Sequence, residues 1–479
     1  MKRIKIIGLT ALLTVMITRT LTAQVGQPFI HDPSTIVECD GKYYTFGTGG
    51  GGLISADGWI WHGGGVRPGG GAAPDAIKIG NRYLVVYGAT GGASNHKGAI
   101  LTMWNKTLDP GSPDFKYTDA VVVATSDGYE ECDAIDPGIM LDPVTGRLWL
   151  SYGTYFGFTR IVELDPKTGK LVEGNKPVDV AITCEASDLI YHDGWYYLLA
   201  THGTCCDGAN STYNIVVGRS KKVTGPYIDN VGRSMLEGGG KMVVATEGSL
   251  IGPGHFGRMI LGDGIEKMSL HYEADLEQGA RSVLGIRPLL WKNGWPVAGE
   301  NFKEGTYKIE SERRGYGLEI AVDLIRMAGG MRFGRGNDEP VKPVPAQALD
   351  SVNQNWPNGN IDVRLGDYIS RPSQKWTVTA APDTSGYIGG HYYKILLAGT
   401  DRALAATAEA EVITVPAFNN APEQLWRIEQ LTDGTYRIMP KIVPNSTKQL
   451  ALISVGDSRP TLAAFDVNSD DSKWNFKAQ

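Results

Sequence analysis

Five times between residues 31 and 274 the chain repeats one phrase. A polar or ionisable residue sits beside a proline or small residue, a short apolar run follows, then a turn, then a second run that is often aromatic. The segments are HDPSTIVECDGKYYTFGTG, APDAIKIGNRYLVVYGATG, AIDPGIMLDPVTGRLWLSYGTY, CEASDLIYHDGWYYLLATHG and GPGHFGRMILGDGIEKMSLHYEA. Their marker residues, Asp32, Asp75, Asp136, Glu185 and His255, are 43, 61, 49 and 70 residues apart. A repeat of that length is one small sheet, and stacked sheets make a propeller or array. Helical periodicity is nearly absent from about residue 25 to 300. The expectation is all-β: a five-bladed β-propeller whose first strands line a central channel.

That geometry gives the markers a purpose. Residues at the starts of inner strands gather at one mouth of the channel, however far apart they lie in sequence. Any one Asp-Pro or Asp-Gly pair is ordinary turn chemistry. Five polar residues in one repeat phase, with acids and a histidine among them, point instead to a site.

Composition narrows the class of partner. With 52 acidic and 46 basic residues, net charge −6, the chain has no basic stripe for nucleic acid. Its 62 glycines suit short strands and tight turns. Lys2, Arg3 and Lys5 precede an apolar run to about Ile17, and Thr22-Ala23 offers a small-residue cleavage site. Residues 1–23 therefore read as a secretory signal peptide, and the mature chain as periplasmic or secreted, with no membrane span. Cysteines 39, 132, 184, 205 and 206 form neither a disulfide framework nor a CxxC zinc pair. Buried free thiols are the plain reading, with a vicinal Cys205–Cys206 bridge as the alternative in an oxidising compartment.

Asp32, Asp136 and Glu185 supply what glycosidic cleavage needs. One carboxyl must hold a proton for the leaving oxygen, and another must be ionised to activate water or attack. A third acid can raise the donor's pKa by like-charge repulsion. No GxSxG elbow is present for a serine triad. His255 alone among acids cannot close a zinc site. It can serve a hydrated cation, a sugar, or the channel structure.

HDPS (31–34), AIDP (134–137), CEAS (184–187), CCDGANSTYNIVVGRSKKVTGPY (205–227), GPGH (252–255) and LGIRPLLWKNGWP (284–296) occur in that order. With them the segment 31–297 resembles glycoside hydrolase family 43, and within it the arabinan endo-1,5-alpha-L-arabinanases. The resemblance implies an inverting mechanism in which Asp32 is the general base, Glu185 the general acid and Asp136 the modulator of the acid's pKa. It also implies a calcium ion near His255, held mostly through water. His31, Asp75 and Arg287 complete the expected substrate-facing set: Asp75 shaping the site, Arg287 facing the central carboxylates. One departure stands out. Ala73 replaces the family's frequent Trp before the blade-two APD, amid glycine runs at 49–52, 63–65 and 69–71.

Beyond Pro296 the pattern changes. Units opening at GTYKIE (305), YKILLA (393) and YRIMPK (436) close on Trp376, Trp426 and Trp474, as SQKW, EQLW and DSKW. They resemble a ricin-type β-trefoil with QxW repeats. The domain reading is 24–300 propeller and 301–479 trefoil, with an insertion at about 325–370. The tryptophans are expected in the core. Sugar-binding acids are only partly kept, as Glu319 or Asp323 and as Asp457, so the trefoil either binds carbohydrate or braces the propeller.

The leading expectation is a monomeric, secreted hydrolase of alpha-1,5-linked L-arabinan. An exo-acting arabinanase, an alpha-L-arabinofuranosidase or a beta-xylosidase would use the same acids. A non-catalytic carbohydrate-binding protein is the rival of a different class, and it has no need for three acids at separate blade starts.

Overall fold

The structure, a computed structural model, describes residues 28–66, 70–89, 97–128, 132–248, 250–260, 265–273, 281–321, 358–382 and 391–479. The expected signal peptide, Gly69, Asp323 and most of the 325–370 insertion lie outside them. No helix among the described residues is long and apolar enough to cross a membrane.

Five four-stranded antiparallel sheets follow one another, each built from consecutive strands. Their first strands are Val37–Cys39, Ala72–Ile79, Gly138–Leu141, Glu185–His192 and Ile251–Ile260. Residues from all five of these strands line one axial cavity of about 330 Å³, so the first strands are the inner ones. The blades are held by apolar clusters between neighbours. Tyr44 and Phe46 of blade one pack with Val85 of blade two. Leu84 and Trp104 of blade two meet Leu150 of blade three. Trp149 of blade three meets Leu198 of blade four, and Tyr197 of blade four meets Leu270 of blade five.

The start of each inner strand carries a backbone signature. Asp32, Ala73, Asp136, Ala186 and His255 all have positive φ, from 46 to 60°. A non-glycine residue in that region is uncommon and costs roughly 1–2 kcal/mol, so five at equivalent places mark a shared constraint. The repeat phase is thus set by backbone conformation. In blade two it falls on Ala73, two residues before Asp75; in blade four on Ala186, one residue after Glu185. Two positions beyond each phase residue the inner strands crowd one another. A Cβ on Gly138 would lie 2.2 Å from the Ser187 carbonyl oxygen, which explains glycine there.

The ring closes between blades five and one. Ile30 N–H donates to the Ser282 carbonyl (3.2 Å) and Leu284 N–H to the Pro28 carbonyl (2.8 Å), stitching the segment before blade one onto blade five. The cluster at this seam differs from the other four. It joins Ile36, Trp59 and Trp61 of blade one and Met259 and Ile286 of blade five to Tyr392, Leu425 and Leu431 of the C-terminal domain.

That domain is a ricin-like β-trefoil. Its three repeats converge on Trp376, Trp426 and Trp474, each fully buried. Each indole N–H donates to an equivalent backbone carbonyl: Leu318 (2.7 Å), Leu404 (3.0 Å) and Leu452 (2.7 Å). Gln374 accepts the Ile369 amide and Gln424 the Asn419 amide. Ser472, where the third repeat lacks Gln, accepts the Asp466 amide (3.2 Å). Buried polar groups straddle the seam with blades one and five. Lys267 of blade five pairs with Glu429, which also takes Arg427 (3.0 Å) and Arg437 (2.5 Å). Arg427 reaches the Asp57 carbonyl (2.9 Å), and the Tyr392 hydroxyl donates to the Asp57 carboxylate (2.8 Å).

Candidate active site

Asp32 is the hub. His31 Nε2 and His255 Nδ1 each lie 3.5 Å from its Oδ1, and His271 Nδ1 lies 3.7 Å away. The Asp32 backbone N–H donates to His271 Nδ1 (3.0 Å). The Thr48 hydroxyl donates to Asp32 Oδ2 (2.6 Å) and accepts from the Ala73 amide (2.8 Å). Burial opposes ionisation of Asp32, but the imidazoles of His31 and His255 and the Thr48 hydroxyl outweigh it. They hold its carboxyl below the usual aspartate range.

Glu185 has the opposite surroundings. It is buried, and desolvation pushes its carboxyl up to about 7 against a lowering hydrogen bond from Tyr213, with the charges of Asp32 and Asp133 adding to the rise. The Tyr213 hydroxyl donates to Glu185 Oε1. Asp136 is also raised, first by burial and then by the charges of Glu185 and Asp32. Asp136 and Glu185 therefore cannot both ionise easily. One ionised carboxyl faces a group of carboxyls that retain protons, the split that acid–base cleavage requires. At the rim, exposed Tyr155 stacks obliquely on exposed Phe156 (ring centroids 4.5 Å), close enough to feel the charges of Glu185 and Asp136.

The structure places His31, Asp32, Asp136, Glu185 and His255 close together. Two residues do not join them. Asp75 turns its carboxylate onto the backbone amides of Thr35 (2.9 Å) and Ile139 (2.9 Å), tying blade two to blades one and three. Its marker position is two residues past the phase, which places it in the wall of the propeller. Arg287 donates to the Gly299 carbonyl (2.6 Å) and the Tyr272 hydroxyl (3.1 Å), with Glu247 4.0 Å away. It lies on the third strand of blade five, not the first, so it braces the domain junction instead of facing the central carboxylates.

Three neighbours escaped the sequence reading: His271, Tyr213 and Thr48. His271 lies in the SLHYEA part of the fifth repeat and Tyr213 in the CCDGANSTYNIV segment, but His271 sits on a second strand and Tyr213 just before a third. Only the inner-strand starts carried a signal. Burial pushes the His271 imidazole down to about 3, so it is neutral at ordinary pH, and its Nε2 is buried without a partner.

His255 is the residue at which calcium is expected. Around Asp32 stand imidazole nitrogens, whereas calcium takes six to eight oxygens. These residues do not form a calcium cage. They fit calcium only as a hydrated ion touching one imidazole. In the trefoil, Glu319 is paired with Arg364 (2.7 Å) and Asp457 with Arg314 (3.4 Å).

Comparison with known proteins agrees with this geometry. Residues 49–296 match the model of glycosyl hydrolases family 43, and residues 372–457 match a ricin-type beta-trefoil lectin domain-like family. The chain is 31% identical over 264 residues to an extracellular exo-alpha-(1->5)-L-arabinofuranosidase of Cellvibrio japonicus, covering 51% of this chain and 72% of that protein. It is 33% identical over 228 residues to an extracellular endo-alpha-(1->5)-L-arabinanase of Bacillus subtilis, covering 47% and 67%. Among solved structures, a Cellvibrio cellulosa alpha-L-arabinanase complexed with arabinohexaose superposes with a TM-score of 0.53 at 28% identity, covering 58% of this chain and 96% of that one. An exo-1,5-alpha-L-arabinanase from a bovine ruminal metagenomic library gives 0.52 at 32% identity, covering 57% and 97%. With half its length matched by the family model and its acids gathered at one mouth of a five-bladed propeller, the chain belongs to glycosyl hydrolase family 43.

Proposed function

We propose that this chain is a secreted, inverting hydrolase of alpha-1,5-linked L-arabinan, of the endo type. Asp32 acts as general base and draws a proton from the attacking water. Glu185 acts as general acid and protonates the leaving oxygen. Asp136 modulates the acid because the two carboxyls repel when both are ionised, so at least one proton stays on the pair. The observation that carries the reading is the opposed state of Asp32 and Glu185: one held ionised by imidazoles and a hydroxyl, the other held protonated near neutrality. Named relatives of both endo and exo type support arabinan as the substrate, and their extracellular names support secretion.

An exo-acting form of the same chemistry is the second reading. It is favoured by the exo-acting relatives and by the small residues of the blade-two rim, where Ala73 stands at the phase position. Linear debranched arabinan separates the two. A ladder of oligosaccharides, absent with Asp32→Ala, supports the endo reading; a single short product from the first time point replaces it with the exo reading. No product from arabinan or aryl arabinosides defeats both.

Calcium enters the proposal as a hydrated ion with the His255 ring nitrogen as its protein ligand, and no catalytic step is assigned to it. Metal analysis of the purified chain beside His255→Ala tests this. Equal calcium in both removes the proposal. The trefoil is proposed to brace the propeller, since two of the acids expected to bind sugar are engaged in ion pairs.

A further inference from the structure

Cys205 and Cys206 are joined in a vicinal disulfide, and Cys206 is exposed. Its Sγ lies 3.7 Å from His31 Nε2, the same nitrogen that lies 3.5 Å from Asp32 Oδ1. The other contacts of this loop tie it to Glu273 of blade five and to itself. The Cys206 amide and the Ser211 hydroxyl both donate to Glu273 Oε1 (2.9 Å each), and the Asp207 amide donates to Ser211 Oγ (3.0 Å). Thr204 and Thr212 bond each other across the loop: the Thr212 amide donates to the Thr204 carbonyl (2.9 Å) and the Thr204 amide to Thr212 Oγ1 (3.0 Å). The next residue is Tyr213, whose hydroxyl holds Glu185. One short loop therefore touches Asp32 through His31 and Glu185 through Tyr213, and the disulfide is its tip.

We propose that the Cys205–Cys206 disulfide is a redox-modifiable positioning element that holds His31 and Tyr213 in register, so that its reduction lowers turnover. The reaction needs an external dithiol such as dithiothreitol. One dithiol thiolate attacks a protein sulfur, the S–S bond breaks, and a mixed disulfide forms. The second thiol closes on the first, releasing Cys205 and Cys206 as two thiols and leaving the reagent as its cyclic disulfide. Two electrons pass to the protein, and the reagent's two protons end on the new thiols. Cys39, Cys132 and Cys184 are buried and outside the disulfide, so native alkylation reports on the Cys205–Cys206 pair.

The inference rests on the proposed hydrolase reading, and its test separates the two. The folded full chain is treated with dithiothreitol, reduction is verified by native alkylation and mass, and kcat and KM on linear arabinan are measured beside the ring-proton resonance of His31. The expected result is about a tenfold fall in kcat, larger than any change in KM. It is reversed on reoxidation and accompanied by a moved His31 resonance. The Cys205→Ser/Cys206→Ser variant should match the reduced rate and ignore the dithiol; if it does not fold, the reversal on reoxidation carries the same information. Verified reduction with unchanged kcat overturns the proposal, as does a double variant that still responds to dithiol. If the oxidised chain turns nothing over, the hydrolase reading falls and the His31 resonance decides alone: movement upholds the contact, and none overturns it.

Discussion

The hydroxyl of Tyr213 donates to Oε1 of Glu185, from the residue just before the third strand of blade four to the start of the first strand of the same blade. Its hydrogen bond favours the ionised carboxylate and so opposes the burial that raises Glu185. Tyr213→Phe therefore lets the Glu185 pKa climb. The basic limb of kcat/KM moves to higher pH, while kcat falls about tenfold as the carboxyl loses its orientation. A pH–rate profile of the variant checks both.

The wild-type profile has its own shape. Activity requires Asp32 ionised and Glu185 protonated. Asp32 is held below the ordinary aspartate value of 3.8, so the acid limb lies lower than that. Glu185 loses its proton at about 7, so the rate falls as pH rises through neutrality. A basic limb near the ordinary glutamate value would contradict the assignment of Glu185.

Glu185→Gln separates catalysis from stability. Turnover falls 100-fold or more, because a general acid is lost. Stability shifts the other way at high pH. The folded carboxyl binds its proton more tightly than the unfolded one, with a value of about 7 against 4.5. The wild type is therefore favoured at low pH, and loses that contribution as pH rises from 4.5 through 7. The glutamine variant does not titrate, so its melting temperature should exceed the wild type's at pH 8 by more than at pH 4. Thermal melts at the two pH values decide it.

Asp75→Asn tests a residue that the repeat made conspicuous. Its carboxylate accepts two backbone amides from neighbouring blades, and asparagine can keep only one of those bonds. The expected loss is about 1–3 kcal/mol of stability, with kcat of the folded protein kept within a few-fold. A fall in kcat comparable to that of Asp32→Ala would restore Asp75 to the catalytic machinery.

Glu429→Ala tests the domain junction. It leaves Lys267, Arg427 and Arg437 buried without their shared carboxylate, a loss of about 3–5 kcal/mol. Both domains should melt together and earlier, with turnover intact at low temperature. Loss of the trefoil transition alone would show that the two domains unfold independently.

The fivefold repeat was legible because each blade restates it, and the tryptophan triplet because three equivalent places each need the same indole. What the sequence hid follows from how the phase is set. An ionisable residue was taken as its marker, yet the marker is a left-handed backbone, which alanine at 73 and 186 satisfies as well as aspartate at 32. Asp75 was misplaced by two residues for that reason. His271 was hidden because it reaches the site from a second strand, whose alternation reports only burial, and Tyr213 because it stands just before a third strand, outside the repeated phrase. Arg287 was drawn inward by its motif, while its guanidinium had nearer partners in Gly299 and Tyr272.

The seam between the first and last blades also sets a clock. Asp32 emerges early in synthesis, but the imidazoles of His255 and His271 that flank it come more than two hundred residues later. The apolar cluster that seals the ring draws in Tyr392, Leu425 and Leu431, which come later still. Domains generally fold as units while the chain is being made. Here the first unit cannot finish its last packing layer until the second has arrived. A nascent chain therefore carries Asp32 long before it carries the histidines that flank it, and the site is complete only once blade five has been made.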